Sequence, residues 1–213
     1  MKYEVTTNTG SRTIEINWPK DFKKVGIFVS GGLDSALMLW MCAQLTPPAG
    51  GKLIALHATR GDPVCEQSAR DIVKKINDMF NLNLEFILVN IETDFVNKSN
   101  PLSRAFREAK FKNLVDCVIS GDTTNPPDDL PGWGMSTRQP VENQHKFPFW
   151  KLPLLHVDKS HTIKLLKELN LEWVFDLTRS CVNPGTPHCG LCWTCNERAW
   201  GFAQNNLTDP GLL

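Results

Sequence analysis

The sequence predicts an α/β fold: a parallel sheet of about five strands with helices on both faces, plus a C-terminal four-cysteine zinc module. Two patterns carry that prediction. From residue 24 onward, short β-branched runs alternate with stretches of helical periodicity, the arrangement of a parallel sheet covered on both sides. Four of the seven cysteines then gather in residues 171–213. A length of 213 residues suits one domain and an appendage. The predicted segments are an N-terminal hairpin extension over 1–20, an α/β domain over 21–176 and a zinc-binding segment over 177–213.

The first twenty residues alternate through Tyr3, Val5, Ile14, Ile16 and Trp18 around a polar Thr-Asn-Thr-Gly stretch, which predicts a hairpin at the sheet edge. Lys24–Ser30, Leu53–Ala58, Leu84–Asn90 and Val115–Ser120 are apolar runs of buried-strand length. Helices fill the gaps. Leu33–Leu45 is apolar nearly all round, whereas Val64–Phe80 puts Ile72, Val73, Ile76, Met79 and Phe80 on one face. Pro101–Lys112 has proline in its first turn and Leu102, Ala105, Phe106 and Ala109 facing inward. Residues 121–150 break the rhythm, with seven prolines or glycines in the first twenty positions, and are expected to form a long substrate lid. Lys159–Asn170 resumes as a helix capped by Asp158, and the tail after it is expected to be poor in regular structure and stapled by metal.

Composition narrows the function. The 23 basic and 23 acidic residues balance, which argues against a nucleic-acid coat, and residues 171–213 are net acidic, so the cysteine module is a poor phosphate binder. The basic group Arg104, Arg107, Lys110 and Lys112 reads as a solvated helix face. The longest wholly apolar stretch, Ala36–Ala43, is far too short for a membrane span. With no export signal evident, a cytoplasmic location with reduced cysteines is expected.

The run Ser30-Gly31-Gly32-Leu33-Asp34-Ser35 sits between a strand and a helix. Adjacent glycines let backbone amides approach a ligand, and a helix start adds unpaired amides and a positive dipole, so the segment reads as an anion cradle. Asp34 belongs there if Mg²⁺ bridges it to phosphates. A plain strand-to-helix turn with a serine or aspartate cap is the simpler alternative. The run lacks the Gly-Lys-Ser/Thr of a Walker loop and the spacing of a dinucleotide fingerprint.

Cys181, Cys189, Cys192 and Cys195 offer four thiolates in overlapping C-x2-C knuckles, suited to structural Zn²⁺, with an iron-sulfur cluster as the rival. His188 adjoins the set without being needed for it. Cys42, Cys65 and Cys117 fall inside predicted elements and read as small core residues.

The run SGGLDSA after a first strand resembles the phosphate loop of the PP-loop, or N-type, ATP pyrophosphatases, whose fold is Rossmann-like, of the adenine nucleotide alpha hydrolase kind. The resemblance implies that Ser30, Gly31, Gly32, Leu33, Asp34 and Ser35 bind ATP with Mg²⁺. Within that group, Ser180-Cys181, Cys189-Gly190-Leu191-Cys192-Trp193-Thr194-Cys195, Arg198 and Gly201-Phe202, preceded by Pro153-Leu154 and Lys159, are similar to the 7-cyano-7-deazaguanine synthases of queuosine biosynthesis. That resemblance implies adenylation of 7-carboxy-7-deazaguanine, attack by ammonia, then a second activation that converts the amide to the nitrile. The implied partners are a 7-deazapurine-like small molecule and ammonia, with neither membrane nor nucleic acid, and a homodimer is compatible.

The substrate half departs from the family. With a single tyrosine, Tyr3, the chain lacks the family's Tyr-Gly-Gln after the second strand and its tyrosine-bearing segment after the fourth. Thr59-Arg60-Gly61-Asp62 and the segment from Gly121 to Asp129 stand there instead, with Glu66 and Ala69 retained. Asp34, Asp122 and Lys159 are the expected catalytic residues, Arg60, Asp122 and Asn125 the expected substrate contacts, and His57 is expected to pack near adenine. A PP-loop RNA sulfurtransferase, another ammonia-dependent amide ligase, and a non-catalytic zinc-stapled ATP-binding module are the rival readings. A sulfurtransferase needs a reactive thiol outside the metal site.

Overall fold

The computed structural model describes residues 1–59, 62–90, 101–133, 148–185 and 188–212. The strands and helices alternate as β1 (Lys2–Thr7), β2 (Gly10–Glu15), β3 (Lys24–Phe28), α1 (Leu33–Ala43), β4 (Lys52–Thr59), α2 (Pro63–Phe80) and β5 (Glu85–Asn90). They continue as α3 (Pro101–Phe111), β6 (Cys117–Ile119), β7 (Trp150–Lys151), α4 (Lys159–Glu168), α5 (Trp173–Leu177) and α6 (Trp193–Ala203). β3 to β7 form one five-stranded parallel sheet in the order β5-β4-β3-β6-β7.

Side-chain alternation along the strands divides the core. Val25, Ile27 and Val29 join α1, α2, α4 and α5 on one face, while Phe28, Ile54, Leu56 and Val118 join Ala105, Phe106 and Ala109 of α3 on the other. α1 is buried nearly all round, as its unbroken apolar run requires, because it lies between the sheet and α2, α4 and α5. α2 is half-exposed, capped by the Asp62 carboxylate, which accepts from the Val64 and Cys65 amides, and closed by Asn81 in the left-handed region.

Two expectations about the chain ends are corrected. The N-terminal hairpin is not at the sheet edge. It is a separate two-stranded sheet that buries Val5 and Ile14 and docks on α4. Its hold is polar as well: Asp158 accepts hydrogen bonds from Thr9 Oγ1 (2.8 Å), Ser160 Oγ (2.5 Å) and the Ser160 amide (2.9 Å), with His161 Nδ1 at 2.9 Å. Nor is the tail poor in regular structure. α5 and α6 occupy it, and α6 packs against α4 where Gly201 leaves no room for a β-carbon beside Lys159 and Ile163. Arg198 of α6 is fully buried, donating to Asp209, to Thr178 and to the Phe175 carbonyl.

The predicted lid over 121–150 falls partly outside the described residues, and its last residue, Trp150, belongs to β7. Residues 121–133 run without helix or strand towards the cysteines. There the Trp133 carbonyl accepts from the Trp193 amide (2.9 Å), and Asn196 donates to the Pro131 carbonyl (2.8 Å).

Candidate active site

The sheet order places the site. β3 is flanked by β4 and β6, so the chain runs outward in one direction through β4 and β5 and in the other through β6 and β7. The loops leaving β3 and β6 at their carboxyl ends diverge there, and in open α/β sheets the crevice between such loops binds ligands. A cleft of about 350 Å³ opens at this point. Ser30, Gly32 and Leu33 to Ser35 line one side, Ser120 to Thr123 another, and Lys159, Arg179 to Val182 and Glu197 a third.

The glycine loop is built as a cradle. Gly31 has a φ of +89°, and a β-carbon there would lie 2.6 Å from the Cys65 carbonyl oxygen, so glycine is required twice over. Gly121 is needed where the β6 loop crosses the first turn of α1, since its β-carbon would lie 2.8 Å from the Asp34 backbone. Ser35 braces the turn: its hydroxyl donates to the Gly32 carbonyl (2.9 Å) and accepts from the Ser30 amide (3.1 Å) and hydroxyl (3.2 Å). No side chain caps the α1 N-terminus at Gly32, which leaves the first-turn amides of the helix for a ligand.

Asp34 and Lys159 meet inside the cleft. The Lys159 ammonium, buried at the start of α4, donates to Asp34 Oδ2 and lies 3.9 Å from Glu197 Oε2. Asp34 Oδ1 is buried and has no hydrogen-bond partner among the described residues. A buried carboxylate oxygen left unmatched is costly, and a cation would satisfy it, so the residues present fit Mg²⁺ held through Asp34 beside bound phosphates.

The predicted residues divide as follows. Ser30, Gly32, Leu33, Asp34, Ser35, Asp122 and Lys159 all line the cleft, with Asp122 accepting from Ser120 Oγ at 2.5 Å. Gly31 shapes the loop from behind. Asn125 does not line the cleft. Arg60 lies outside the described residues. His57 is buried against the cleft with Nδ1 2.8 Å from the Val29 carbonyl. Cys42 and Cys117 are core residues whose thiols burial pushes up, but Cys65 is not one. It is half-buried on the cleft wall, because the first turn of α2 faces the glycine loop rather than the core.

Arg179 and Glu197 were not predicted as site residues, although both line the cleft. Arg179 donates to Asp62 Oδ2 (2.5 Å), to Cys65 Sγ (2.7 Å) and to the Asn183 carbonyl, while its amide donates to the Gly31 carbonyl (2.8 Å). A sequence signal existed: the acidic tail contains two arginines, Arg179 and Arg198, and both are buried. A buried arginine requires acceptors on several sides.

Cys181, Cys189, Cys192 and Cys195 bring their sulfurs within 4.8 Å of one another, close enough to share one metal ion. Backbone amides already point at them: Asn183 donates to Cys181 (3.3 Å), and Leu191 and Cys192 donate to Cys189 (3.4 and 3.3 Å). Such bonds orient thiolate ligands and favour their charged form. Burial raises the Cys192 thiol, but bonds from the Thr194 hydroxyl and nearby amides outweigh it and lower the group; burial dominates at Cys195 and raises it. His188 is not in this group; its Nε2 accepts from the Ser180 amide (3.3 Å). Cys181 is shared by the metal group and the cleft wall, which joins the two sites.

A family model described as queuosine biosynthesis protein QueC matches residues 103–206, from α3 through the cysteines to the end of α6. The 7-cyano-7-deazaguanine synthase of Sulfurimonas denitrificans is 23% identical over 223 residues, an alignment covering 88% of this chain and 96% of that protein. The synthase of Campylobacter concisus is 26% identical over 226 residues, covering 88% and 97%. The chain is similar to 7-cyano-7-deazaguanine synthases over most of its length. An alignment over 88% of the chain takes in the glycine loop, and the family model takes in the four cysteines. Among solved structures, an NMN synthetase from Francisella tularensis aligns over 89% of this chain and 79% of its own at 13% identity with a TM-score of 0.46, which adds nothing to the assignment.

Proposed function

We propose that the protein is an ATP-dependent carbon-nitrogen ligase that turns 7-carboxy-7-deazaguanine into the 7-cyano compound with ammonia. One observation carries the reading: the glycine loop and the buried, half-satisfied Asp34 share a single cleft with the cysteine module, in a chain similar to such synthases over 88% of its length. The loop amides and the α1 N-terminus hold the departing pyrophosphate, and Lys159 neutralises charge as it develops on the phosphates. Asp34 would hold Mg²⁺, which would supply Lewis-acid neutralisation of phosphate charge. Asp122 and the β6 loop lie across the cleft and orient the acceptor. A carboxylate oxygen of the acceptor bonds to the α phosphorus as the bond to pyrophosphate breaks. Ammonia then adds to the acyl carbon, AMP leaves and a proton is released to solvent. The amide oxygen then bonds to the α phosphorus of a second ATP as pyrophosphate leaves, and AMP departs with that oxygen while both nitrogen protons pass to solvent, which leaves the nitrile. Much of the enzyme's task is to position reactants and exclude water.

The ion of the cysteine site is assigned as zinc. Sulfurs within 4.8 Å of one another suit one tetrahedral ion, for which sulfur-sulfur separations are about 3.8 Å; a cubane puts each thiolate on a different iron. Sulfur transfer is disfavoured at Cys65, the thiol of the cleft wall outside the metal group. Burial pushes that thiol up despite Arg179 beside it, opposite to what a sulfur nucleophile needs.

Incubation with MgATP, an ammonium salt and 7-carboxy-7-deazaguanine, followed by mass spectrometry, tests the reading. The nitrile and its amide precursor are expected. AMP formed only with a different acid would overturn the substrate and keep the reaction class, and absence of pyrophosphate release with any acid would leave a nucleotide-binding module. Metal analysis of the purified protein should give one zinc per chain, lost in Cys192→Ser.

A further inference from the structure

We propose that Arg179 is a positioning residue through which the four-cysteine site sets the glycine loop, so that metal binding and nucleotide binding reinforce each other. The proposal rests on the assignment of that loop as the ATP site. A continuous chain of short contacts connects the two. The Asn183 amide donates to Cys181 Sγ (3.3 Å), and the Asn183 carbonyl accepts from Arg179 Nη2. Arg179 Nη1 in turn donates to Asp62, the cap of α2, at 2.5 Å. The Arg179 amide donates to the Gly31 carbonyl at 2.8 Å, and the Cys65 carbonyl in the first turn of α2 lies so near Gly31 that a β-carbon there would be 2.6 Å from it.

Gly31 is therefore held between two elements, and one residue fastens both to the segment that carries Cys181. With the thiolates gathered on an ion, residues 181–183 have one conformation, the Asn183 carbonyl faces the guanidinium, and the loop is preset for phosphate. Without the ion that carbonyl and the guanidinium fork lose their alignment. The main-chain bond to Gly31 remains, but the segment that makes it is no longer fixed through the guanidinium. Because binding linkage is reciprocal, nucleotide in the loop must tighten the metal site by the same factor by which metal tightens nucleotide. The guanidinium matters for its shape: it spans Asp62 and Asn183 at once, which a lysine ammonium cannot do.

The test compares wild type, Arg179→Ala and Arg179→Lys. Zn²⁺ affinity is measured by competition with a chromophoric chelator, with and without saturating MgATP, and MgATP affinity by calorimetry on the zinc-loaded proteins. MgATP is expected to tighten Zn²⁺ binding about fivefold or more in wild type and to leave it unchanged in Arg179→Ala. The MgATP dissociation constant of zinc-loaded Arg179→Ala is expected to rise about tenfold, with Arg179→Lys between the two. A purely structural arginine would change thermal stability but not the coupling. Should Arg179→Ala fail to fold, Arg179→Lys carries the same comparison. Equal coupling in wild type and variant, or none in a wild type that binds MgATP, overturns the proposal alone. A wild type that does not bind MgATP overturns the loop assignment and the proposal with it.

Discussion

Asp34 carries the largest chemical load of any single residue. One carboxylate oxygen receives the Lys159 ammonium and the other is buried with no partner among the described residues, which suits the proposed second cation. Asp34→Asn conserves shape and removes the charge; ATP-pyrophosphate exchange is expected to fall by about a hundredfold or more, the scale of losing an electrostatic group at a reacting phosphate. Circular dichroism should show the fold retained, because Lys159 still faces Glu197 at 3.9 Å. Asp158 gives a second test. Burial alone would raise its carboxyl, but hydrogen bonds from His161, Ser160 and Thr9 outweigh that and hold it at about 2, below the ordinary 3.8. A depressed folded value stabilises the protein above the unfolded pKa, so the contribution is complete above about pH 4 and is lost as the pH falls towards 2. It amounts to at most about 2 kcal/mol. Urea unfolding at neutral pH and near pH 2 should show a smaller pH dependence in Asp158→Asn, which keeps a capping side chain. The glycine loop and Asp34 were legible from sequence because their chemistry is local. Arg179 was not, since its partners Gly31, Asp62 and Cys65 are far away in the chain.

Among the elements, α6 is the longest that sequence pattern hid. Its buried positions mix Trp193 and Phe202 with Glu197, Arg198 and Gly201, so no continuous apolar period marks the face that meets the rest of the protein. What holds it is the fully buried Arg198, paired with Asp209 at 2.9 Å and bonded to Thr178 and Phe175. Removing one partner of such a pair leaves an uncompensated buried charge, so Asp209→Ala is expected to cost about 3–5 kcal/mol. The check is the urea midpoint, and an unchanged midpoint would show that Thr178 and Phe175 satisfy Arg198 unaided. α1 and α2 were readable end to within a few residues, because each matches its pattern of burial: α1 enclosed, α2 one-sided. β7 was missed since two residues, Trp150 and Lys151, are too few to show alternation.

For the whole molecule, strand order does the placing. Alternation of strands and helices made the parallel sheet readable, but the outward runs on either side of β3, which create the cleft, follow from pairing between distant segments. The cysteine module contributes a wall to that cleft as well as closing the chain. Neutral net charge over 213 residues suits a small acceptor in such a crevice. The proposed function has the crevice activate a carboxylate by adenylation. A decisive measurement uses 7-carboxy-7-deazaguanine labelled with ¹⁸O in its carboxylate, together with MgATP and an ammonium salt. The label is expected to leave in AMP as the nitrile forms. Unlabelled AMP, or ADP and phosphate in its place, would contradict it.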